Sequence, residues 1–309
     1  MPHIGFTCDA TELPVDIPDC LACARAGALP GCHQTAPVIA GIVRGLRPDD
    51  MPMSDAPPER RWAAWRGWTV TTLIGCLRKA RLMQSEPYWL KPSESYWAYR
   101  GQLMHGIAAR YAEEADQVLA EQRLSVVSEA LHGVSVEVSG QPDLVLLDQK
   151  HLIDYKTTKA VPTGWRAYVC PETDRVISEG PYALRRKFVE CPHCTLGQHD
   201  AKVIEVLSAP RAKVQHVLQV SLYRLLLHRH GHVIETAEII YMDMDTQLRV
   251  PVDLLSLEEA EHYLRERVTL AVKSDLPPVL TAPDEVWECG YCAVQAACRE
   301  RAAEESGAA

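Results

Sequence analysis

The sequence predicts an α/β protein, a mixed sheet flanked by helices that carries cysteine-rich appendages. Three observations predict it. Short apolar runs of strand character cluster between residues 134 and 156 and recur at 236–242. A long stretch with helical spacing occupies 213–230, and all eleven cysteines lie outside these segments. With 309 residues, 47% of them apolar, the chain can bury one large core with appendages or two modest domains.

Residues 1–58, rich in Pro, Asp and Cys, form an N-terminal appendage with one short apolar run near Val38 to Val43. Residues 59–160 hold the first helices and an acidic hairpin. A basic helix is expected from Trp62 to about Leu82, and a second from Ser95, as its cap, to about Gln122. Strands follow at Val134–Val138, Asp143–Leu147 and His151–Lys156, the last two joined by the polar turn Asp148-Gln149-Lys150. Residues 161–205 break the pattern and resemble an inserted zinc ribbon. The core resumes over 206–275 with an amphipathic helix from Lys213 to His230, a strand at Thr236–Met242, and a helix from Leu257 to about Val272. Ser256 and Glu259 give that last helix a capping-box start. Residues 276–309 carry a cysteine cluster and a charged tail expected to fray from Glu300.

The opening residues lack the basic and apolar regions of a signal peptide, and no run reaches the roughly 18 apolar residues of a membrane helix. A cytoplasmic protein without a membrane partner is expected. Cytosolic thiols stay reduced, so Cys-x-x-Cys pairs point to metal rather than disulfides. The formal charge of -9 argues against coating nucleic acid through bulk charge, though a local basic groove can still hold DNA.

Side chains alternate along a strand, so Asp154 and Lys156 share a face that Asp143 reaches across the hairpin. Two carboxylates and an ammonium can hold Mg²⁺ or Mn²⁺, activate water and offset charge on a phosphate. The plain alternative is a turn-capping Asp143 and a surface Asp154–Lys156 pair. Against it, Asp154 sits in the apolar run His151-Leu152-Ile153-Asp154-Tyr155, where an uncompensated acid costs on the order of several kcal/mol.

Gly140-Gln141-Pro142-Asp143, followed by Ile153-Asp154-Tyr155-Lys156-Thr157-Thr158-Lys159, resembles the RecB-like branch of the PD-(D/E)xK nucleases. The resemblance implies a restriction-endonuclease-like core. Gln219 and Tyr223, four apart on one helix edge, are similar to that branch's Gln-x-x-x-Tyr pair beside the active site. Read alone they are a polar helix flank. His105 resembles the branch's helix-borne metal ligand; read alone it is a hydrogen-bonded core histidine.

Cys289, Cys292 and Cys298 can bind one metal centre but need a fourth ligand. Cys76 resembles the single cysteine that precedes the core in iron-sulfur members, among them the CRISPR-associated RecB-like exonucleases. The resemblance implies a structural [4Fe-4S] cluster on Cys76, Cys289, Cys292 and Cys298. Zinc on the same thiolates is the chemical rival. Cys191-Pro-His-Cys194 could join Cys170, with His193 or His199 as fourth ligand, to hold zinc. Cys20, Cys23, Cys32 and His33 could hold another, and a merged Cys20/Cys23/Cys191/Cys194 site is a further arrangement.

The function expected from the resemblance is a metal-dependent DNA exonuclease, single-strand preferring, acting in recombination, repair, phage replication or CRISPR adaptation. Without a phosphate-binding loop in this sequence, unwinding would come from a partner helicase, or from a CRISPR adaptation or recombination protein. Arg185, Arg186, Lys187 and the basic residues Arg78 to Arg81 are candidate phosphate contacts. The alternative is a non-catalytic DNA-binding or scaffold subunit that keeps the fold and the cluster.

Overall fold

The computed structural model describes residues 3–45, 68–93, 95–96, 100–101, 106, 110, 117–130, 133–162, 164–180, 188–200, 204–273, 275–281 and 286–307. It is a mixed α/β structure. The N-terminal lobe comprises strands β1 (His3–Thr7) and β2 (Pro14–Val15) and helices α1 (Ile17–Arg25) and α2 (Ala36–Gly45). Phe6, Ile17, Ile39, Ile42 and Val43 form its small core. The chain then gives β3 (Trp68–Thr69), α3 (Val70–Ile74), α4 (Leu77–Ser85) and β4 (Tyr88–Leu90). The lobe is attached through β1, which pairs parallel with β4.

The main body is built on β5 (Val118–Ala120), β6 (Leu124–Glu129), β7 (Ser135–Gly140), β8 (Leu144–Leu146) and β9 (His151–Thr157). An inserted segment holds β10 (Trp165–Val169), β11 (Val176–Gly180), β12 (Phe188–Glu190), β13 (Gln198–Asp200) and β14 (Ile204–Ser208). The core resumes with α5 (Val214–Arg229), β15 (Thr236–Met242), β16 (Gln247–Pro251) and α6 (Leu257–Val272). A 3-10 turn at Val286–Tyr291 and α7 (Gln295–Glu305) follow. The central sheet runs β16-β15-β9-β8-β5, with β15 and β9 parallel and the other pairs antiparallel. A second sheet runs β3-β7-β6.

Helix α5 fills the space between them. Its spacing suggests one apolar face, but Val220, Leu222, Leu225, Leu226 and Leu227 are all buried. The helix is therefore enclosed on most sides, with α6, α3, β6, β7 and β9 as neighbours. Beside it, the capping box of α6 forms as the sequence predicts: Glu259 N donates to Ser256 Oγ at 3.1 Å, and Ser256 N to Glu259 Oε2 at 2.8 Å.

Several expectations change. The basic helix is two short helices, broken at Gly75 and Cys76. The break is held by Arg267 of α6, whose guanidinium donates at 2.5 Å to the carbonyls of both Leu73 and Gly75. The end of the expected second helix is a strand, β5, because Leu119 and its neighbours find hydrogen-bond partners on β8. Most of that helix, with His105, lies outside the described residues.

The tail is also more ordered than its composition suggests. Arg78 of α4 is only 1% exposed and donates to both carboxylate oxygens of Glu305, at 3.0 and 3.1 Å, and to the Pro277 carbonyl. This pins α7 to α4 and removes Arg78 as a phosphate contact. Arg81 is likewise committed, to the carbonyls of Ala271 and Lys273. Removing Glu305 would leave the enclosed guanidinium without its carboxylate partner, with Cys298 and the Pro277 carbonyl remaining beside it. Glu305→Ala is therefore expected to lower unfolding stability by about 1–3 kcal/mol, well above an ordinary surface change, in a urea melt.

Candidate active site and metal centres

The turn at 147–150 closes β8 and β9 at one end, and the acids sit at the other. Leu144 lies opposite Ile153, so the next pair outward is Asp143 with Asp154. Asp143 is 2% exposed and Asp154 0%. Lys156, two residues on along the same face, places Nζ 2.5 Å from Asp154 Oδ2, and its side chain keeps 20% exposure. Asp143 Oδ2 accepts the Tyr155 amide at 2.7 Å, which fixes its carboxylate across the hairpin. Two buried acids and one ammonium thus meet in a low-dielectric corner.

Helix α5 supplies the facing edge. Gln219 Nε2 donates to the Tyr223 hydroxyl at 2.9 Å, and both side chains are buried. Burial, then the charges of Asp154 and Asp143, push the Tyr223 phenol well above its usual range, so it stays protonated and able to donate. Thr71 of α3 also hydrogen-bonds to it. One turn before Gln219, His216 Nδ1 lies 2.8 Å from the Tyr241 hydroxyl. Burial, then Lys156 and Lys213, push His216 down to about 3, so its imidazole is neutral at physiological pH. His216 was not singled out in the sequence, although its place three residues before Gln219 on one helix edge was available as a signal.

A histidine with a lowered folded value stays unprotonated while the unfolded chain takes up a proton below roughly pH 6.5. Its stabilising contribution is present above that pH and is lost as pH falls toward about 3. His216→Gln is expected to flatten the loss of stability between pH 6 and 4 by up to about 1.4 kcal/mol per pH unit, read from urea midpoints.

Gly140, the first residue of the Gly-Gln-Pro-Asp stretch, seats the tyrosine. A Cβ there would stand 2.9 Å from Tyr223 Cε1 and from Leu226 Cδ2, so only glycine lets β7 approach α5 this closely. Gly140→Ala is expected to lower stability by about 1–3 kcal/mol and to shift the Tyr223 ring, measurable by melting and tyrosine fluorescence.

A cavity of about 430 Å³ adjoins this edge, with Thr71, Cys76, Lys79, His216, Gln219 and Glu288 in its wall. Lys79 is the cation of the α4 basic run that faces it. Across it, Gln215 Nε2 donates to Glu288 Oε1 at 3.0 Å and links α5 to the segment bearing Cys289.

Cys76 lies in the neighbourhood of Cys292, without the mutual 4.8 Å spacing that, among the described residues, the Cys170 group alone shows. Cys76 caps α4, its sulfur accepting the Lys79 amide at 3.4 Å. Cys292 lies within electrostatic reach of Cys76, and Cys298 and Cys289 within reach of Cys292. Burial is the largest influence on the Cys76 and Cys292 thiols and pushes both up. Cys292 and Cys298 pack with Leu82, Tyr88 and Val294.

Cys170, Cys191, Cys194 and His199 form a second group, with ligand atoms all within 4.8 Å of one another, and could hold a metal ion. Tetrahedral zinc, with Zn–S of about 2.3 Å, separates its ligands by roughly 3.8 Å, so this group needs little movement to close on one ion. Cys170 comes from the β10–β11 turn, Cys191 and Cys194 from the β12–β13 turn, and His199 from β13. Of the two candidate histidines, His199 is the one inside: its Nε2 is 3.1 Å from Cys194 Sγ and 3.5 Å from Cys170 Sγ. His193 Nε2 instead contacts the Val176 carbonyl at 3.1 Å. This grouping replaces the merged Cys20/Cys23/Cys191/Cys194 arrangement. Arg185, Arg186 and Lys187 lie outside the described residues.

No family model matches the chain, and no curated protein sequence matches it. Among solved structures it is similar to one described as the crystal structure of SSO0001, at 14% identity and a TM-score of 0.48. That similarity covers 84% of this chain and 92% of the other. Among the described residues, no helix is long and apolar enough to cross a membrane.

Proposed function

We propose that this chain is a metal-dependent DNA nuclease with a PD-(D/E)xK core of the RecB-like, CRISPR-associated exonuclease branch. The observation that carries the reading is the buried pair Asp143 and Asp154 at adjacent cross-strand positions, with the Lys156 ammonium 2.5 Å from Asp154. The donor set suits a hard divalent cation: two carboxyl groups, fixed by the strands, that offer hard oxygen ligands side by side. Asp143 and Asp154 would hold Mg²⁺ or Mn²⁺. When bound, the ion supplies Lewis acidity, lowering the pKa of a water and offsetting charge on the phosphate.

The protein's own groups do the positioning. Lys156 keeps its ammonium beside Asp154 while staying partly open to solvent, so it can hydrogen-bond an attacking water or a phosphate oxygen. Tyr223, kept protonated and oriented by Gln219, buttresses the acids from the helix side. Lys79 in the adjoining cavity is a cation for the backbone of an incoming strand. The strand preferred is single-stranded DNA, and duplex substrates would need a partner that unwinds them.

A [4Fe-4S] cluster is proposed on Cys76, Cys289, Cys292 and Cys298; it would join α4 to the C-terminal segment and close a long loop. Brown protein from anaerobic purification, with its visible absorption lost in Cys289→Ser, supports the cluster. A colourless protein with zinc at these cysteines removes it and leaves the nuclease reading in place. The nuclease reading itself is tested with end-labelled single- and double-stranded DNA and Mn²⁺. Mononucleotide or short-oligonucleotide release from single strands is expected, and intact substrate at every metal concentration contradicts it.

A further inference from the structure

We infer that Cys8, Cys20, Cys23 and Cys32 form a thiolate site for a thiophilic metal centre in the N-terminal lobe, with Cys8 in the place that His33 would take by sequence proximity. All four cysteines line one cavity of about 350 Å³. His33 is exposed and is not in its wall. Cys20 and Cys23 sit one turn apart on α1, so both project to one side of the helix. Cys32, Cys8 and Cys23 all lie within electrostatic reach of Cys20.

The backbone around the site is folded to present sulfur. After β1 the chain makes a tight loop in which Cys8 N donates to Leu13 O at 2.8 Å and Glu12 N to Cys8 O at 2.9 Å. Within it the amides of Ala10 and Thr11 and the Thr11 hydroxyl turn toward the Cys8 sulfur. The same device, an amide two or three residues on that donates to a cysteine sulfur, recurs at Cys76 and Cys191. On the other side Gly27, Ala28 and Gly31 adopt positive φ and fold the chain back along α1, with Ala28 N bonded to Cys23 O and Cys32 N to Leu29 O. A non-glycine residue such as Ala28 in this region carries strain that a bound centre would offset.

The lobe would also gain from such a staple. Among the described residues its core is small, five buried side chains with a few partly buried ones packed against them, so a metal staple would add to its stability. A centre here would fix the Cys8 loop, and that loop anchors the lobe to the body. Asp9 accepts from Ser93 Oγ at 2.6 Å and from Ser93 N at 3.2 Å, and Glu12 pairs with Lys91 at 2.6 Å. Four thiolates accept either a tetrahedral zinc ion or an iron-sulfur cluster.

The test counts zinc, iron and acid-labile sulfide per full-length chain, purified anaerobically, for wild type, Cys8→Ser, Cys32→Ser and His33→Ala. Both cysteine variants are expected to lose one zinc, which identifies a single ion, or about four irons with sulfide, which identifies a cluster. His33→Ala is expected to match wild type. Unchanged metal in the cysteine variants, or loss in His33→Ala alone, overturns the proposal. Because a serine variant can misfold, wild-type protein is also alkylated before and after chelation and the cysteines mapped by mass spectrometry. Cys8, Cys20, Cys23 and Cys32 should be protected together in the loaded protein. Free-thiol labelling rates there would overturn the site.

Discussion

Asp154→Asn is expected to lower Mn²⁺-dependent DNA hydrolysis by at least about a thousandfold while leaving the fold intact. Asp154 is one of two buried acids beside Lys156, and the substitution removes its formal charge. A divalent cation then loses both a hard oxygen ligand and the field that attracts it. The amide fits the same volume between Leu152 and Lys156, so the melting temperature should move little. Binding of Mn²⁺ measured calorimetrically should weaken in step with the rate. Retained activity with retained Mn²⁺ affinity would show that Asp154 is an ordinary half of an ion pair.

Cys191→Ser is expected to remove one equivalent of metal and to unfold the inserted segment, leaving the central sheet folded. Structural zinc contributes about 10–16 kcal/mol of apparent binding free energy in small domains, and among the described residues the segment's hairpins are short. The β12–β13 hairpin is three residues a side, and β10, β11 and β14 form a separate small sheet. Protease cleavage between residues 165 and 200 should therefore appear in the variant and in chelator-treated wild type, but not in the loaded protein. Undiminished metal content would contradict the Cys170/Cys191/Cys194/His199 grouping.

Much of the core was legible in the sequence because its signals are local. The turn at 148–150 lies between strands whose alternation is visible, and β8, β9, α5, β15 and α6 fall within a few residues of their expected bounds. What was not legible depends on tertiary partners. β6 and β16 are edge strands whose pattern has little meaning until β7 and β15 are beside them. The end of the expected second helix became β5 for the same reason. Arg78 and Arg81 read as a basic surface because sequence does not reveal that Glu305 and the end of α6 lie across from them.

The site divides in a similar way. Asp143, Asp154 and Lys156 could be placed on one face from strand periodicity alone. Gln219 and Tyr223 stand out through their resemblance to a Gln-x-x-x-Tyr pair; α5 also carries His216, whose relation to Lys156 required the packed helix. Among the cysteines, the candidate grouping of Cys170 with Cys191 and Cys194 is the one the structure brings together. Cys191 and Cys194 announced themselves, whereas the choice of His199 over His193 depends on which way β13 turns.

Hydrolysis of DNA by the acid-acid-lysine trio is tested most directly by one comparison. Wild type and Lys156→Ala, each with unchanged circular dichroism and metal content, are incubated with end-labelled single-stranded DNA and Mn²⁺. Degradation by wild type and a loss of about a hundredfold or more in Lys156→Ala is the expected result. Equal behaviour of the two proteins on this substrate would contradict it.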